Sequence, residues 1–241
     1  GTGDGRVSMD LKTYYEQLSP EQRLLQFGRK SQDPLAEAFD RKRVVHAGMG
    51  GRMIPPSMAP QAWQQVMGRP AQGNPVQMAY IHIPFCKTKC LYCGFFQNGT
   101  DQTAEDRYVD LLVEEIRRDG QQPRLQKAPI QAVFIGGGTP TSLSPENARK
   151  LLSVIRTSLP LANDYELTLE GRVHDLVPEK MDVWLSEGVN RMSLGVQSFD
   201  TKVRRQVGRL DDQETVLEKL RGLMAYNQCA VIIDLMYGLP D

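Results

Sequence analysis

The sequence predicts an α/β fold built on a parallel sheet, and three observations carry that reading. Apolar runs of strand length recur from Ala79 onward, each is followed by a stretch of helical periodicity, and the polar residues suited to chemistry fall just after the runs. Repeated β-then-α units need crossover connections, which are right-handed, so the strands lie parallel in a sheet that is either open or curled toward a barrel.

The elements follow in chain order. From Asp10 to about Trp63 the chain reads as short helices. Ser19-Pro20-Glu21-Gln22 supplies an N-cap, a proline at the first helical position and a glutamine three residues on. Asp33-Pro34 opens another helix in the same way. Gly48, Gly50, Gly51 and Pro55-Pro56 then interrupt the chain, a last short helix begins near Pro60, and residues 68–75 read as a linker. Strands are expected at residues 80–85, 132–135, 165–169, 191–196 and 230–236. Thr103 is expected to cap a helix whose stripe is Tyr108, Leu111, Leu112 and Ile116. Ser144-Pro145 opens another, with Ala148, Leu151, Leu152 and Ile155 on one face. Further helices are expected near 178–187 and 213–226. The domain reading is a leader or scar at 1–8, a helical and loop arm at 9–75, and a catalytic α/β unit at 76–241.

Composition narrows the function. The 241 residues carry 29 basic against 29 acidic side chains, so whole-chain charge gives no argument for nucleic acid or an anionic membrane. No stretch approaches the ~20 apolar residues that a membrane span needs. The start, Gly1-Thr2-Gly3-Asp4-Gly5, has no apolar core of a signal peptide. Of the four cysteines, Cys86, Cys90 and Cys93 crowd one short segment, which is metal-ligand clustering rather than a disulfide framework. A cytoplasmic location is expected.

The chemistry-bearing residues share an address. Cys86, the run 136–139, Glu170, Gln197 and Asp234 each sit at or just past the C-terminal end of a strand, where parallel α/β folds build their sites. The spacing Cys86-x-x-x-Cys90-x-x-Cys93 puts three soft thiolates on one loop, ligands that suit an iron–sulfur cluster or zinc. Zinc normally takes a fourth protein ligand. His82 lies within the preceding strand, pointing across the sheet rather than into the loop. Cys229 precedes another strand, at the wrong end if that strand is parallel, and reads as a small buried apolar residue. A four-iron cluster held by three cysteines leaves one iron open for a ligand. The glycines at 136–138 allow close backbone approach to a zwitterion, although a glycine run alone is also an ordinary tight turn.

The segment Tyr80-Ile-His-Ile-Pro-Phe-Cys-Lys-Thr-Lys-Cys-Leu-Tyr-Cys-Gly resembles the cluster loop of radical SAM enzymes, above all the branch containing oxygen-independent coproporphyrinogen dehydrogenase (HemN). The resemblance extends to Gly-Gly-Gly-Thr-Pro-Thr at 136–141, to 191–199 with its Gly-Val-Gln, and to Asp234-Leu-Met-Tyr-Gly-Leu-Pro. It implies a partial (β/α)6 radical SAM barrel, with Cys86, Cys90 and Cys93 holding a [4Fe–4S] cluster whose open iron takes the amino and carboxylate groups of S-adenosyl-L-methionine. It further implies that Gly137, Gly138 and Thr139 hold the amino-acid end of that cofactor. Tyr92, Glu170, Gln197, Arg209 and Asp234 would contact it too, with Arg209 paired to its carboxylate. Tyr80 would lie beside cluster and substrate as a catalytic and cofactor-binding residue.

Two departures set the chain apart from the dehydrogenase: Phe95 stands where that enzyme has a further cysteine, and Gly171-Arg172 follows the glutamate. Glu170-Gly171-Arg172, Asp33-Pro34-Leu35 and the run Arg43-Val-Val-His-Ala-Gly48 resemble instead the anaerobic heme-utilisation enzymes HutW and ChuW, radical SAM methyltransferases that open the porphyrin ring. That resemblance implies heme or another tetrapyrrole as substrate, and a flavodoxin-like electron donor. Coproporphyrinogen decarboxylation and heme chaperoning without turnover are the alternatives. His46 and His174 are the histidines considered for heme iron, although each reads equally as an ordinary turn residue. The family's barrel has six strands and a C-terminal domain, so the chain reads as C-terminally truncated at about five strands. On that reading it binds the cluster poorly alone.

Overall fold

In the computed structural model, residues 11–27, 53–93, 98–99 and 101–239 are described. The expected helix at Asp33-Pro34, the glycines 48–51, His46, Phe95 and the residues before 9 lie outside them. The chain divides into two compact units, Gly1–Pro55 and Pro56–Asp241.

In the first unit, helices α1 (Leu11–Gln17) and α2 (Pro20–Phe27) join at the expected capping box. Gln22 N donates to Ser19 Oγ at 3.2 Å, and Ser19 N donates back to Gln22 Oε1 at 2.9 Å. Arg23 reaches back to the carbonyls of Tyr15 and Glu16, satisfying orphan acceptors at the end of α1.

The second unit begins with α3 (Ala59–Met67), whose Trp63 donates to Asp119 at 3.2 Å. Its sheet contains β1 (Gln77–Ile83), β4 (Ile130–Gly137), β5 (Leu161–Arg172), β6 (Arg191–Gln197) and β7 (Ala230–Leu235), adjacent in that order and all parallel. The short strands β2 (Phe85–Cys86) and β3 (Asn98–Gly99) pair separately. The crossovers carry α4 (Gln102–Gly120), α5 (Pro123–Gln126), α6 (Pro145–Ser158), α7 (Pro178–Ser186), α8 (Thr201–Gln206) and α9 (Gln213–Ala225). Alternate strand residues, among them Ile81, Ile83, Val133, Ile135, Leu167, Leu169, Met192 and Leu194, pack with Val109, Leu151, Ile155 and Trp184 into one core. Each such fully buried aliphatic contributes roughly 1.5–3 kcal/mol.

Several local expectations are corrected. The cap of α4 is Asp101, which accepts from Thr103 N at 3.1 Å, so Thr103 is the capped residue. The buried face of α4 runs through Glu105, Val109, Val113 and Ile116, while Leu111 is 57% exposed. Glu105 is a buried carboxylate that accepts from Ser144 N and Asn147 Nδ2, which offsets its desolvation. β1 starts three residues earlier than expected and stops at Pro84. β5 runs from 161 to 172 rather than ending at Leu169, because Glu170, Gly171 and Arg172 still pair with Ser193, Leu194 and Gly195. Cys229 is half-buried against the core rather than buried, and burial pushes its thiol pKa up.

Candidate functional site

Because every strand of the main sheet is parallel, all C-terminal ends lie on one rim. Gly136 and Gly137 end β4, Gln197 ends β6, Asp234 lies next to the end of β7, and Glu170 stands two residues from the end of β5. The cysteine loop leaves β1 on the same rim through Phe85 and Cys86. The sequence-predicted address is therefore real, and Cys229, before β7, lies at the other end.

Two backbone bonds fasten the cysteine loop to the glycine loop: Gly138 N donates to Ile83 O at 2.7 Å and Thr139 N to Phe85 O at 2.8 Å. Thr139 Oγ1 lies 3.4 Å from Cys86 Sγ. A Cβ on Gly138 would sit 2.5 Å from Phe85 O and 3.0 Å from Cys86 Sγ, so only glycine allows this approach. Gly137 takes a φ of +115°, which further requires glycine, and its space is closed by the His82 ring. Cys86 and Cys90 are buried and Cys93 is half-buried. Cys93 N donates to Cys90 O at 3.1 Å, closing a turn between the last two. Among the described residues no three His, Cys, Asp or Glu side chains are already gathered as a metal cage. The loop holds the three thiols close in sequence and on the rim.

Glu170 accepts from Gly137 N at 3.2 Å. Burial chiefly raises its pKa, with the nearby Asp234 carboxylate acting the same way, against the Gly137 hydrogen bond and His82. Glu170, Asp234, Gly137 and His82 thus form one group. Tyr80 is 61% exposed on the same sheet face; its hydroxyl lies 3.0 Å from His82 Nδ1 and its ring stacks on Phe134 at 6.2 Å. Its contacts run to this group rather than to the cysteine loop, and burial together with Glu170 raises its pKa.

Within the loop, Tyr92 Oη accepts from Arg209 Nη2 at 2.6 Å. Burial is the chief cause raising the Tyr92 pKa, while Arg209 opposes it and Cys90 lies close enough to contribute. Gly195 leaves room for the Arg209 guanidinium and the Gln197 amide. Gln197 holds a φ of +70°, a left-handed backbone that costs a glutamine of order 1 kcal/mol and is typical of functional positions. His174 pairs with Asp211 at 3.2 Å, with its side chain 62% exposed, which gives it an ordinary partner. A cavity of about 170 Å³ lies between Lys87, Thr88, Ser142, Arg172, Arg204 and Arg209.

The residues fit a cluster and a zwitterionic cofactor on two counts. The donor set is three soft thiols on one loop. Arg209 Nε and Ser142 Oγ are buried donors without a protein partner. Sequence reasoning missed Arg172, which donates to Thr88 Oγ1 at 2.7 Å and to Thr88 O at 2.8 Å. The only signal was the Glu170-Gly171-Arg172 run itself.

The Radical SAM superfamily model matches residues 80–241. Anaerobilin synthase from Escherichia coli is 37% identical over 204 residues, spanning 85% of this chain and 46% of that protein. The heme chaperone HemW of Bacillus subtilis is 36% identical over 170 residues, covering 68% of this chain and 43% of its own. Coproporphyrinogen III oxidase (HemN) from Escherichia coli, a solved structure, superposes with a TM-score of 0.65 at 32% identity, covering 75% of this chain and 41% of that one. The chain spans less than half the length of these relatives. No helix among the described residues is long and apolar enough to cross a membrane.

Proposed function

The chain belongs to the radical SAM superfamily, and from that membership we propose that it carries the catalytic barrel of a methyltransferase that opens the porphyrin ring of heme anaerobically. Iron and a linear methylated tetrapyrrole are the proposed products. The superfamily's cofactors are a [4Fe–4S] cluster and S-adenosylmethionine. When bound, they supply the reducing electron and the carbon radical that start the chemistry.

The observation that carries the reading is the shared rim, on which the cysteine loop lies with two polar groups: Glu170, Asp234 and Gly137, and Arg209, Tyr92 and Gln197. Cys86, Cys90 and Cys93 are the proposed cluster ligands. Gly137, Gly138 and Thr139 offer backbone to the amino-acid end of the cofactor. Arg209, with its unpartnered Nε, pairs with a carboxylate. Glu170, Gln197 and Asp234 accept or donate hydrogen bonds to amine and ribose. Tyr80, exposed above Phe134, offers a flat ring to a tetrapyrrole. A flavodoxin-like protein is the proposed electron donor, and the residues before 76 are the proposed arm.

Heme is favoured over coproporphyrinogen by the extent of similarity. The alignment with anaerobilin synthase covers 204 residues and 85% of this chain at 37% identity, against 181 residues and 75% at 33% for the oxygen-independent coproporphyrinogen III oxidase of Escherichia coli. Anaerobic incubation of reconstituted protein with reductant, S-adenosylmethionine and heme tests the reading by mass spectrometry. Appearance of 5′-deoxyadenosine with an open-chain methylated tetrapyrrole is expected. Decarboxylation of coproporphyrinogen in its place would make the protein a dehydrogenase, and heme binding with no 5′-deoxyadenosine would make it a chaperone.

A further inference from the structure

The Glu170-Gly171-Arg172 run has an architectural explanation. Gly171 lies against Thr141 so closely that a Cβ there would sit 2.0 Å from Thr141 Oγ1. Thr141 Oγ1 in turn accepts from Arg172 N at 3.1 Å and donates to Asp175 Oδ2 at 2.8 Å. The end of β5 is thus registered against the turn that follows the glycine loop. Buried Lys180 secures that turn by donating to the carbonyls of Thr141 and Ser142.

From this fixed base the Arg172 side chain crosses to Thr88, 84 positions earlier in sequence, and grips both its hydroxyl and its carbonyl. Thr88 is the middle residue of the span between Cys86 and Cys90, and Lys87, Thr88 and Lys89 are all exposed. An exposed triplet between two buried cysteines has no apolar packing to hold it. Two bonds from one planar guanidinium fix both the position and the orientation of the loop there, which a lysine cannot reproduce. The remainder of the loop is held at its start by Gly138 and Thr139, and near its end by Tyr92 on Arg209.

We propose that Arg172 is a positioning residue for the cysteine loop, setting the separation of Cys86 and Cys90 before any cluster is bound. The proposal rests on superfamily membership and is independent of heme as substrate.

Limited trypsin digestion of the apoprotein reads the effect directly, because Lys87 and Lys89 flank Thr88. Arg172→Ala is expected to speed cleavage at these two lysines by about tenfold, the scale of one lost charge-assisted hydrogen bond pair in a solvated setting. After reconstitution, iron should leave the same variant faster in the presence of a chelator, and its cluster EPR signal should broaden. Arg172→Lys should rescue only partly. Thr88→Val, which removes the hydroxyl and keeps the carbonyl, should give a smaller effect that does not add to that of Arg172→Ala. The thermal midpoint should stay near that of the parent. Unchanged cleavage and iron retention would overturn the proposal. A fall in thermal midpoint that accounts for the faster cleavage would also overturn it, as would weakened heme binding with a loop as protected as before. Failure of heme turnover in the parent protein would bear on the proposed substrate alone.

Discussion

Along β5, Leu167 and Leu169 point to the helices and are 0% and 3% exposed, while Glu166, Glu170 and Arg172 alternate with them on the opposite face. The same division runs across the sheet. On β6 Met192, Leu194 and Val196 are fully buried beside Ser193, Gly195 and Gln197, and on β1 Ile81 and Ile83 are buried beside exposed Tyr80. Strand alternation therefore gives one backbone two surfaces with separate duties. The helix-facing side is mostly apolar and supplies cohesion. The other side carries carboxylates, a strained glutamine and bare glycines, none of which an isolated sheet would choose for stability. A protein divided in this way should respond to substitution on the two faces in opposite senses.

The largest test of that division is Leu194→Ala on the helix side, set against Asp234→Asn across the strand pair. Leu194 is fully buried in the core, so its truncation should cost roughly 2–5 kcal/mol in urea unfolding while leaving cofactor affinity per folded molecule intact. Asp234 sits near Glu170 with unfavourable charge proximity. Its neutralisation should leave unfolding free energy unchanged or raised, and weaken S-adenosylmethionine binding on the order of tenfold by calorimetry. Comparable unfolding losses from both substitutions would break the comparison.

A smaller effect is expected at the seam between the two loops. A methyl group at Gly138 meets the Phe85 carbonyl and the Cys86 thiol, both of which must shift. Gly138→Ala should cost about 1–3 kcal/mol of stability and reduce iron bound after reconstitution, measured colorimetrically per chain. Full iron loading in a stable Gly138→Ala protein would show that the loop tolerates displacement.

The approximate positions of the strands along the chain and the shared rim were legible because apolar periodicity and strand-end chemistry are local signals, readable at residues such as Ile81, Leu167 and Gln197. What escaped depends on distant partners. Nothing local to Glu105 announces that its carboxylate will be buried on Ser144 N and the Asn147 amide, and apolar periodicity alone points to Leu111, which is exposed. Gly171 and Arg172 lack strand propensity, and only pairing with Leu194 and Gly195 carries β5 through them. The bond from Arg172 to Thr88 spans 84 positions and has no periodicity to betray it.

The subtlest consequence of the division is a pH dependence located at Glu170. Its pKa in the folded protein is raised, chiefly by burial and then by Asp234. An acid whose folded pKa lies above its unfolded value holds its proton longer in the folded state, so stability falls as pH rises from the ordinary glutamate range through the raised value. Above the ordinary glutamate range the charge on Glu170 is thus a burden on the fold, tolerated where a cofactor amine or ribose is to be received. Glu170→Gln keeps an acceptor for Gly137 N and removes the charge. Its apoprotein should melt roughly 1–3 °C higher than the parent at neutral pH. The gain should vanish at a pH below the ordinary glutamate range, where both states of the parent are protonated. Bound S-adenosylmethionine should protect the parent more than the variant. An equal gain at every pH would place the effect in packing rather than in the titration of Glu170, and a loss at neutral pH would mean that the carboxylate supports the fold as well as the site.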